Sequence, residues 1–264
     1  STKSLEANDL YHDALHLRDI FRENEAKDKL LKAIDIDNNF GAAYILLSTF
    51  DINTGSETDT YYEKALSLID QLNDVEQCML EVRTSYREND TEKRLEYSRK
   101  LLDLIPDNAF AHQRMGTTHW EMSNIEKSRK SLLTAIEKDK NYIAPYRILT
   151  NNYLFGEPKD YMLAEKYATK ALSLEKDESF YHVLLGDVYR AQNKLKKAAE
   201  KYDDAYKTGT NNWLSAAKAG HAYTMIDPSE ARKRFDQAIK DAKSLDQKVG
   251  PEYGKVYTYL HEND

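Results

Sequence analysis

His12 and His16 stand four residues apart in "HDALH" (12–16). In a helix this spacing puts both imidazoles on one face, as in the zinc pair of an HExxH motif. Zinc hydrolases of that kind add a glutamate base and a third ligand. Here the acid between the histidines is Asp13 and the sequence offers no evident third ligand, so the stretch reads as a polar N-terminal helix. The single cysteine, Cys78, lies beside Met79 in a helical stretch and reads as packing rather than nucleophile. One cysteine also leaves no internal disulfide and no thiolate cage. There is no P-loop, no GxGxxG after a strand and no GxSxG. The expectation is a non-enzyme with no catalytic residue, no metal and no cofactor.

Composition narrows the class further. The 264 residues are 41% hydrophobic and 31% charged, and no apolar run approaches the ~20 residues that span a bilayer, so direct membrane insertion is not expected. A net charge of −7 disfavours nucleic acid and anionic membrane as partners. The Lys-rich stretch "NKLKKAAEK" (193–201) reads as a solvated helix face. Alternating β-branched runs are absent, and nine Gly with five Pro are few for many tight turns, which points to an all-α chain. The N-terminus "STKSLEAND" shows no signal peptide. The expected location is cytoplasmic, or periplasmic or secreted if a signal has been removed.

Helical segments of this chain carry small residues at a fixed spacing. Gly116 in "HQRMGTTHW" has counterparts at Gly186 ("HVLLGDVY") and Gly220 ("AAKAGHAY"). Backwards, the series runs through Thr150, Val82, Ser48 and Ala14. Each step is 34 residues except 150 to 186, which is 36 because "FGEPKDYM" (155–162) holds a longer turn. A second series, Ala33, Ala65, Ala135, Ala171, Ala205 and Ala238, sits in apolar patterns at i, i+3, i+4 and i+7, with Leu101 filling the third unit's place. Segments rich in Asp, Asn and Pro separate the units. Each unit therefore reads as two helices of about 12–15 residues joined by a short turn. A glycine inside a helix costs roughly 0.8–1 kcal/mol relative to Ala, so Gly116 must serve a close approach of two helix backbones.

Seven such pairs resemble the tetratricopeptide repeat (TPR) family over residues ~7–246. The resemblance rests on the small residue at the eighth position, on Tyr153, Tyr189 and Tyr223 three residues later, on Ala26, Ala164, Ala198 and Ala231 in the second helices, and on Pro106. Unit three departs from the pattern with Val82 and Leu101, and the large fourth-position residue is Tyr44, His112, Tyr146 or His182, never Trp. His112 and His182 read as packed histidines. The resemblance implies a right-handed superhelical solenoid of antiparallel helix pairs. Its repeats would cover approximately 7–40, 41–74, 75–108, 109–142, 143–178, 179–212 and 213–246, followed by a C-terminal capping helix over 247–264. In that tail Pro251 reads as a helix start, and Tyr253, Val256, Tyr257 and Leu260 share the face expected to cover the last repeat.

TPR proteins bind peptides on the concave face of their first helices, and the resemblance places positions two, five, nine and twelve of each unit there. Four of these 28 positions are Arg (18, 83, 147 and 190), none is Lys, and the acids are Glu76 and Asp187. The implied peptide-binding residues are Arg83, Tyr86, Phe110, Gln113, Trp120, Arg147, Asn151, Phe180, Asp187, Arg190 and His221. Arg grips carboxylates as a planar fork, and aromatic rings supply rigid anchors. The two-carboxylate clamp of chaperone-binding TPR domains is matched at Arg147, Asn151 and Lys218 but broken by Leu184 and Leu214. The expected function is a protein–protein scaffold or adaptor that holds a peptide or helix of a partner protein. The alternatives are a structural or self-assembly scaffold, with a homodimer compatible with the sequence, and a regulatory module cut from a larger protein.

Overall fold

A computed structural model describes residues 2–209 and 212–261. The chain divides into two compact units, residues 1–145 and 146–264. The described residues are all-helical, without strands. The first unit holds α1 (Leu5–Asp19), α2 (Glu23–Ile36), α3 (Gly41–Leu47), α4 (Gly55–Ser67), a 3₁₀ turn (Ile69–Gln71), α5 (Asp74–Arg87), α6 (Thr91–Leu104), α7 (Ala109–Glu121) and α8 (Ile125–Lys138). α9 (Ile143–Phe155) begins in the first unit and runs into the second. The second continues with α10 (Tyr161–Leu174), α11 (Ser179–Ala191), α12 (Leu195–Thr208), α13 (Asn212–Tyr223), α14 (Pro228–Asp241) and α15 (Leu245–His261).

Neighbouring helices pack as pairs: α1 on α2, α3 on α4, α5 on α6 and α7 on α8 in the first unit, α11 on α12 and α13 on α14 in the second. The small residues sit where the pairs touch. A Cβ on Gly116 would lie 2.6 Å from Leu132, one on Gly186 2.5 Å from the Tyr202 ring, and one on Gly220 2.8 Å from the Phe235 ring. Ala14 and the series Ala33, Ala65, Ala135, Ala171, Ala205 and Ala238 are fully buried. Ser128 adds a bond across the α7/α8 contact, its hydroxyl donating to the Gly116 carbonyl at 2.7 Å. These three pairs thus close over a glycine, while Leu132, Tyr202 and Phe235 fill the space from the partner helix.

Four of the described turns within pairs follow one rule. Phe21, Asn89, Ser123 and Asn193 each adopt positive φ between 53° and 65° after a first helix. The next amide then reaches back five residues: Arg22 to Leu17, Asp90 to Ser85, Asn124 to His119 and Lys194 to Tyr189. This closure satisfies carbonyls that the helix end leaves open. The longer turn ahead of α10 contains the cis peptide Glu157–Pro158. Asp160 caps α10 there, accepting from the Met162 and Leu163 amides.

Two expectations need correction, and the third unit adds a departure of its own. α3 has seven residues rather than 12–15. Ser48 and Thr49 donate their hydroxyls to the Ile45 and Leu46 carbonyls, and Asn53 donates its amide to the Leu47 carbonyl. These side chains take over the carbonyls a further turn would need. Ser48 therefore lies at the end of its helix, not in its middle. In the third unit Arg94 occupies the place of the small second-helix residue. It is buried, stacked 3.6 Å from the Tyr86 ring centroid and ion-paired to Glu121 at 3.0 Å. Finally, α15 starts at Leu245, so Pro251 falls inside it. It packs on α14 and α13 through Pro251, Gly254 and Thr258, which are buried, while Tyr253, Val256, Tyr257 and Leu260 face outward. The apolar stripe is real, but a narrower face of small residues makes the contact, because a Cβ on Gly254 would already fall 2.6 Å from Phe235.

Candidate functional site

The predicted binding residues fall in both units. In the first unit most of them are occupied by internal contacts. Arg83 of α5 is half-buried and its Nε donates to the Ser48 hydroxyl at 3.3 Å. The Tyr86 phenol donates to Glu121 at 2.6 Å, and burial pushes its pKa up to about 12. Gln113 is buried, bonding the Thr117 hydroxyl and accepting from the Tyr142 phenol at 3.2 Å. Phe110 and Trp120 are half-buried on α7, with the Arg114 guanidinium 5.6 Å from the Phe110 centroid. Further back, Ala42 and Ile45 of α3, both expected on the groove face, belong to the core. A helix that is apolar on every side is buried on every side, and α3 is one.

The second unit is more open. Arg147 and Asn151 lie half-buried on α9, and Phe180 sits edge-on to Tyr181 at the start of α11. The densest chemistry surrounds Asp187 of α11. Lys218 of α13 reaches both of its oxygens, at 2.7 and 2.9 Å. The Tyr202 hydroxyl donates to the first at 2.7 Å, and Arg190 stands 3.9 Å from it. Burial and the Asp187 carboxylate together hold the Tyr202 phenol well above its usual pKa. His221, one turn beyond Lys218, is edge-on to Phe235. Desolvation first, then the charges of Arg190 and Lys218, depress its pKa below the ordinary 6.5. Two basic groups, Lys218 and Arg190, thus gather about one carboxylate with His221 near both, and the Arg190 side chain remains 59% exposed. Position-based reasoning includes Asp187, Arg190 and His221 but omits Tyr202, a second-helix ring, and brings in Lys218 only as a clamp residue. Leu184 is buried and cannot act as the clamp asparagine would.

The remaining sequence candidates stay apart from this cluster. His12 and His16 are exposed on α1. Among the described residues no group of three or more His, Cys, Asp or Glu is placed to hold a metal. Cys78 is buried, and desolvation pushes its thiol pKa up, away from the reactive thiolate. It lines an open cleft of about 490 Å³ with Asp74, Glu81, Tyr97, Lys100 and Asp103, which none of the predicted binding residues shares. His112 and His182 are half-buried, their Nε2 atoms 2.8 and 2.9 Å from the carbonyls of Pro106 and Lys176. They tie each first helix to the loop before it. No described helix is long and apolar enough to cross a membrane.

No family model matches the sequence, and no curated protein matches it. Solved structures do. MamA (41-end) from Desulfovibrio magneticus RS-1 aligns with a TM-score of 0.58 at 15% identity, over 66% of this chain and 98% of that one. YrrB, described as a TPR protein with an unusual peptide-binding site, aligns with a TM-score of 0.53 at 14% identity, over 85% of this chain and 97% of that one. Yeast Tom70 aligns with a TM-score of 0.54 at 16% identity, over 99% of this chain and 66% of that one. At these identities the likeness is one of fold. The chain has a TPR-like, all-α solenoid fold built of paired helices.

Proposed function

We propose that this chain is a non-enzymatic scaffold that binds a peptide or helix of a partner protein on the first helices of its second unit. The supporting observation is the basic cluster around Asp187. An extended segment bearing a carboxylate, as a side chain or chain terminus, would meet Arg190 and Lys218 together, with His221 beside them. A guanidinium is suited to bidentate capture and an ammonium to point attraction. Asp187 holds this basic pair in place while the site is empty. The fold adds support by analogy, since YrrB is described as having a peptide-binding site.

The test is a binding screen with fluorescent 12-residue peptides, acidic against neutral, each with a free or amidated C-terminus. The acidic or free-terminus set should bind selectively. Arg190→Ala/Lys218→Met should weaken that binding by about tenfold or more, as expected for losing one or two charge-assisted contacts. Equal retention of all sets, or unchanged binding by the double variant, would overturn the reading.

A further inference from the structure

Where α12, α13 and α14 meet, two acids hold one cation. Asp203 of α12 accepts from the Arg234 guanidinium of α14 at 2.6 and 3.0 Å. Glu230, one turn before Arg234, pairs with it at 2.7 Å. Tyr223 of α13 donates its hydroxyl to Asp203 at 3.2 Å. The corresponding places on α6, α7 and α8 carry the opposite charge. Leu101 is equivalent to Ala205, Gly116 to Gly220 and Ala135 to Ala238. Counted from these, Arg99 stands at the place of Asp203, His119 at that of Tyr223, Lys127 at that of Glu230 and Ser131 at that of Arg234. Contacts support this register. The Ser98 and Thr118 hydroxyls lie 2.9 Å apart, which sets Arg99 near His119. Ser128 donates to the Gly116 carbonyl and the Asn124 amide to that of His119, which brings the first turn of α8 against the same stretch of α7. On α12, Lys197, the counterpart of Lys127, sits 5.3 Å from the ring centroid of Tyr189, the counterpart of His119.

These bases lack the internal counter-charge that the later helices supply. Arg99 and Lys127 are exposed, and among the described residues neither pairs with a carboxylate. His119 is half-buried, and desolvation, then the charges of Lys127 and Arg99, depress its pKa. Its Nδ1 is sealed from solvent without a hydrogen-bond partner, which leaves Nε2 as the nitrogen to meet a ligand. Ser131 brings a hydroxyl where Arg234 brings a charge. Two cations and two neutral donors, drawn from three helices, thus take the place of a set that neutralises itself. The ligand they fit is an anion with more than one charge and more than two oxygens. A phosphate monoester brings about −1.5 to −2 charges and three strong acceptor oxygens. A guanidinium can grip two of those oxygens as a fork, and an ammonium adds a point charge.

We propose that Arg99, His119, Lys127 and Ser131 form a binding site for a phosphate group, either the free ion or a phosphorylated serine or threonine of a peptide. This site does not depend on the peptide-binding reading of the second unit. Sodium phosphate, titrated into the full chain at constant pH and ionic strength, should move the His119 ring resonances saturably, and sodium chloride should not. A fluorescent phosphoserine peptide should bind more tightly than its unphosphorylated form. If inorganic phosphate displaces that peptide at a similar concentration, the free ion suffices. If displacement needs far more phosphate, the group belongs to a peptide. Arg99→Ala/Lys127→Ala should weaken both responses about tenfold or more. Both side chains are exposed, so the variant should keep its helical circular dichroism. Arg190→Ala/Lys218→Met should retain both responses, which separates this site from the cluster around Asp187. No saturable response to either probe, or responses that survive Arg99→Ala/Lys127→Ala, would overturn the proposal.

Discussion

Lys218 lies across both carboxylate oxygens of Asp187, 2.7 and 2.9 Å away, while the Tyr202 hydroxyl donates to one of the same oxygens. One acid thus serves two purposes: it satisfies a buried phenol and it restrains the basic groups of the candidate site. Asp187→Asn separates them. The amide keeps an acceptor for Tyr202 but loses the ionic contact with Lys218, which should cost about 1–3 kcal/mol of stability. It also leaves Arg190 and Lys218 without their internal counter-charge. Thermal unfolding should drop while the affinity for an acidic peptide rises; a variant that loses both stability and affinity would assign Asp187 to direct contact with the ligand.

Two glycines should respond oppositely to the same change. In Gly186→Ala the new methyl would fall 2.5 Å from the ring of Tyr202, which is fully buried and cannot swing away. Overpacking of this kind costs about 1–3 kcal/mol. Gly55 opens α4 with nothing within 4 Å of an added Cβ. Gly55→Ala should leave stability unchanged or raise it by up to about 1 kcal/mol through a less flexible unfolded chain. Paired denaturant melts read both changes.

The turn at Ser123 holds a further reserve of stability. Its φ of 59° is a left-handed conformation that costs an L-residue about 1–2 kcal/mol and a glycine far less. Ser123 is exposed. Ser123→Gly should therefore stabilise by roughly 0.5–1 kcal/mol, after the glycine's extra unfolded-state entropy is subtracted. The same change at Asn193, whose side chain suits this conformation, should gain less. Melting temperatures of the two variants give the comparison.

Acid should weaken the fold in two stages. His119 and His221 have folded-state pKa values below the ordinary 6.5, mainly because burial disfavours the imidazolium and secondarily because nearby cations repel it. Both side chains bind protons more readily once the chain unfolds. Their contribution is complete above about pH 6.5 and is lost as pH falls through the depressed folded values. Glu57 follows at lower pH. Its hydrogen bonds from Lys27, and then from Thr54, hold its pKa at about 2 against an ordinary 4.5, so its share is lost between those values. His119→Gln/His221→Gln should flatten the first stage of a stability–pH curve and leave the second. A first stage that persists would point to other groups.

The helix register is legible in the sequence because close packing enforces it. Gly116, Gly186 and Gly220 must be small where Leu132, Tyr202 and Phe235 press on them. The turns are less legible, since left-handed residues at Phe21 and Ser123 carry no glycine to mark them. The shortness of α3 depends on side-chain bonds from Ser48, Thr49 and Asn53, which a hydrophobic pattern does not register. Arg94 looks like a surface residue on composition alone, and three partners bring it inside: the Tyr86 ring, Glu121 and Ser85. Periodicity identifies the stripe on α15 but not which side of the helix meets its neighbours. At the candidate site, repeat positions find Arg190, Asp187 and His221 one at a time. Their association with Lys218 and Tyr202 depends on distances between helices 15 to 31 residues apart in the chain.

Phe235 gives the second unit a common pivot. The buried face of α15 and the imidazole beside the basic pair both lean on this one ring. Gly220 of α13 and Gly254 of α15 press on it, and His221 stands edge-on at 5.0 Å between centroids. Neither glycine has a side chain to yield, so a roll of α15 must displace the ring or the backbone of α13. The His221 imidazole then becomes a built-in gauge: its NMR resonances should move when Thr258→Leu, at a buried position of α15, alters the setting of that helix.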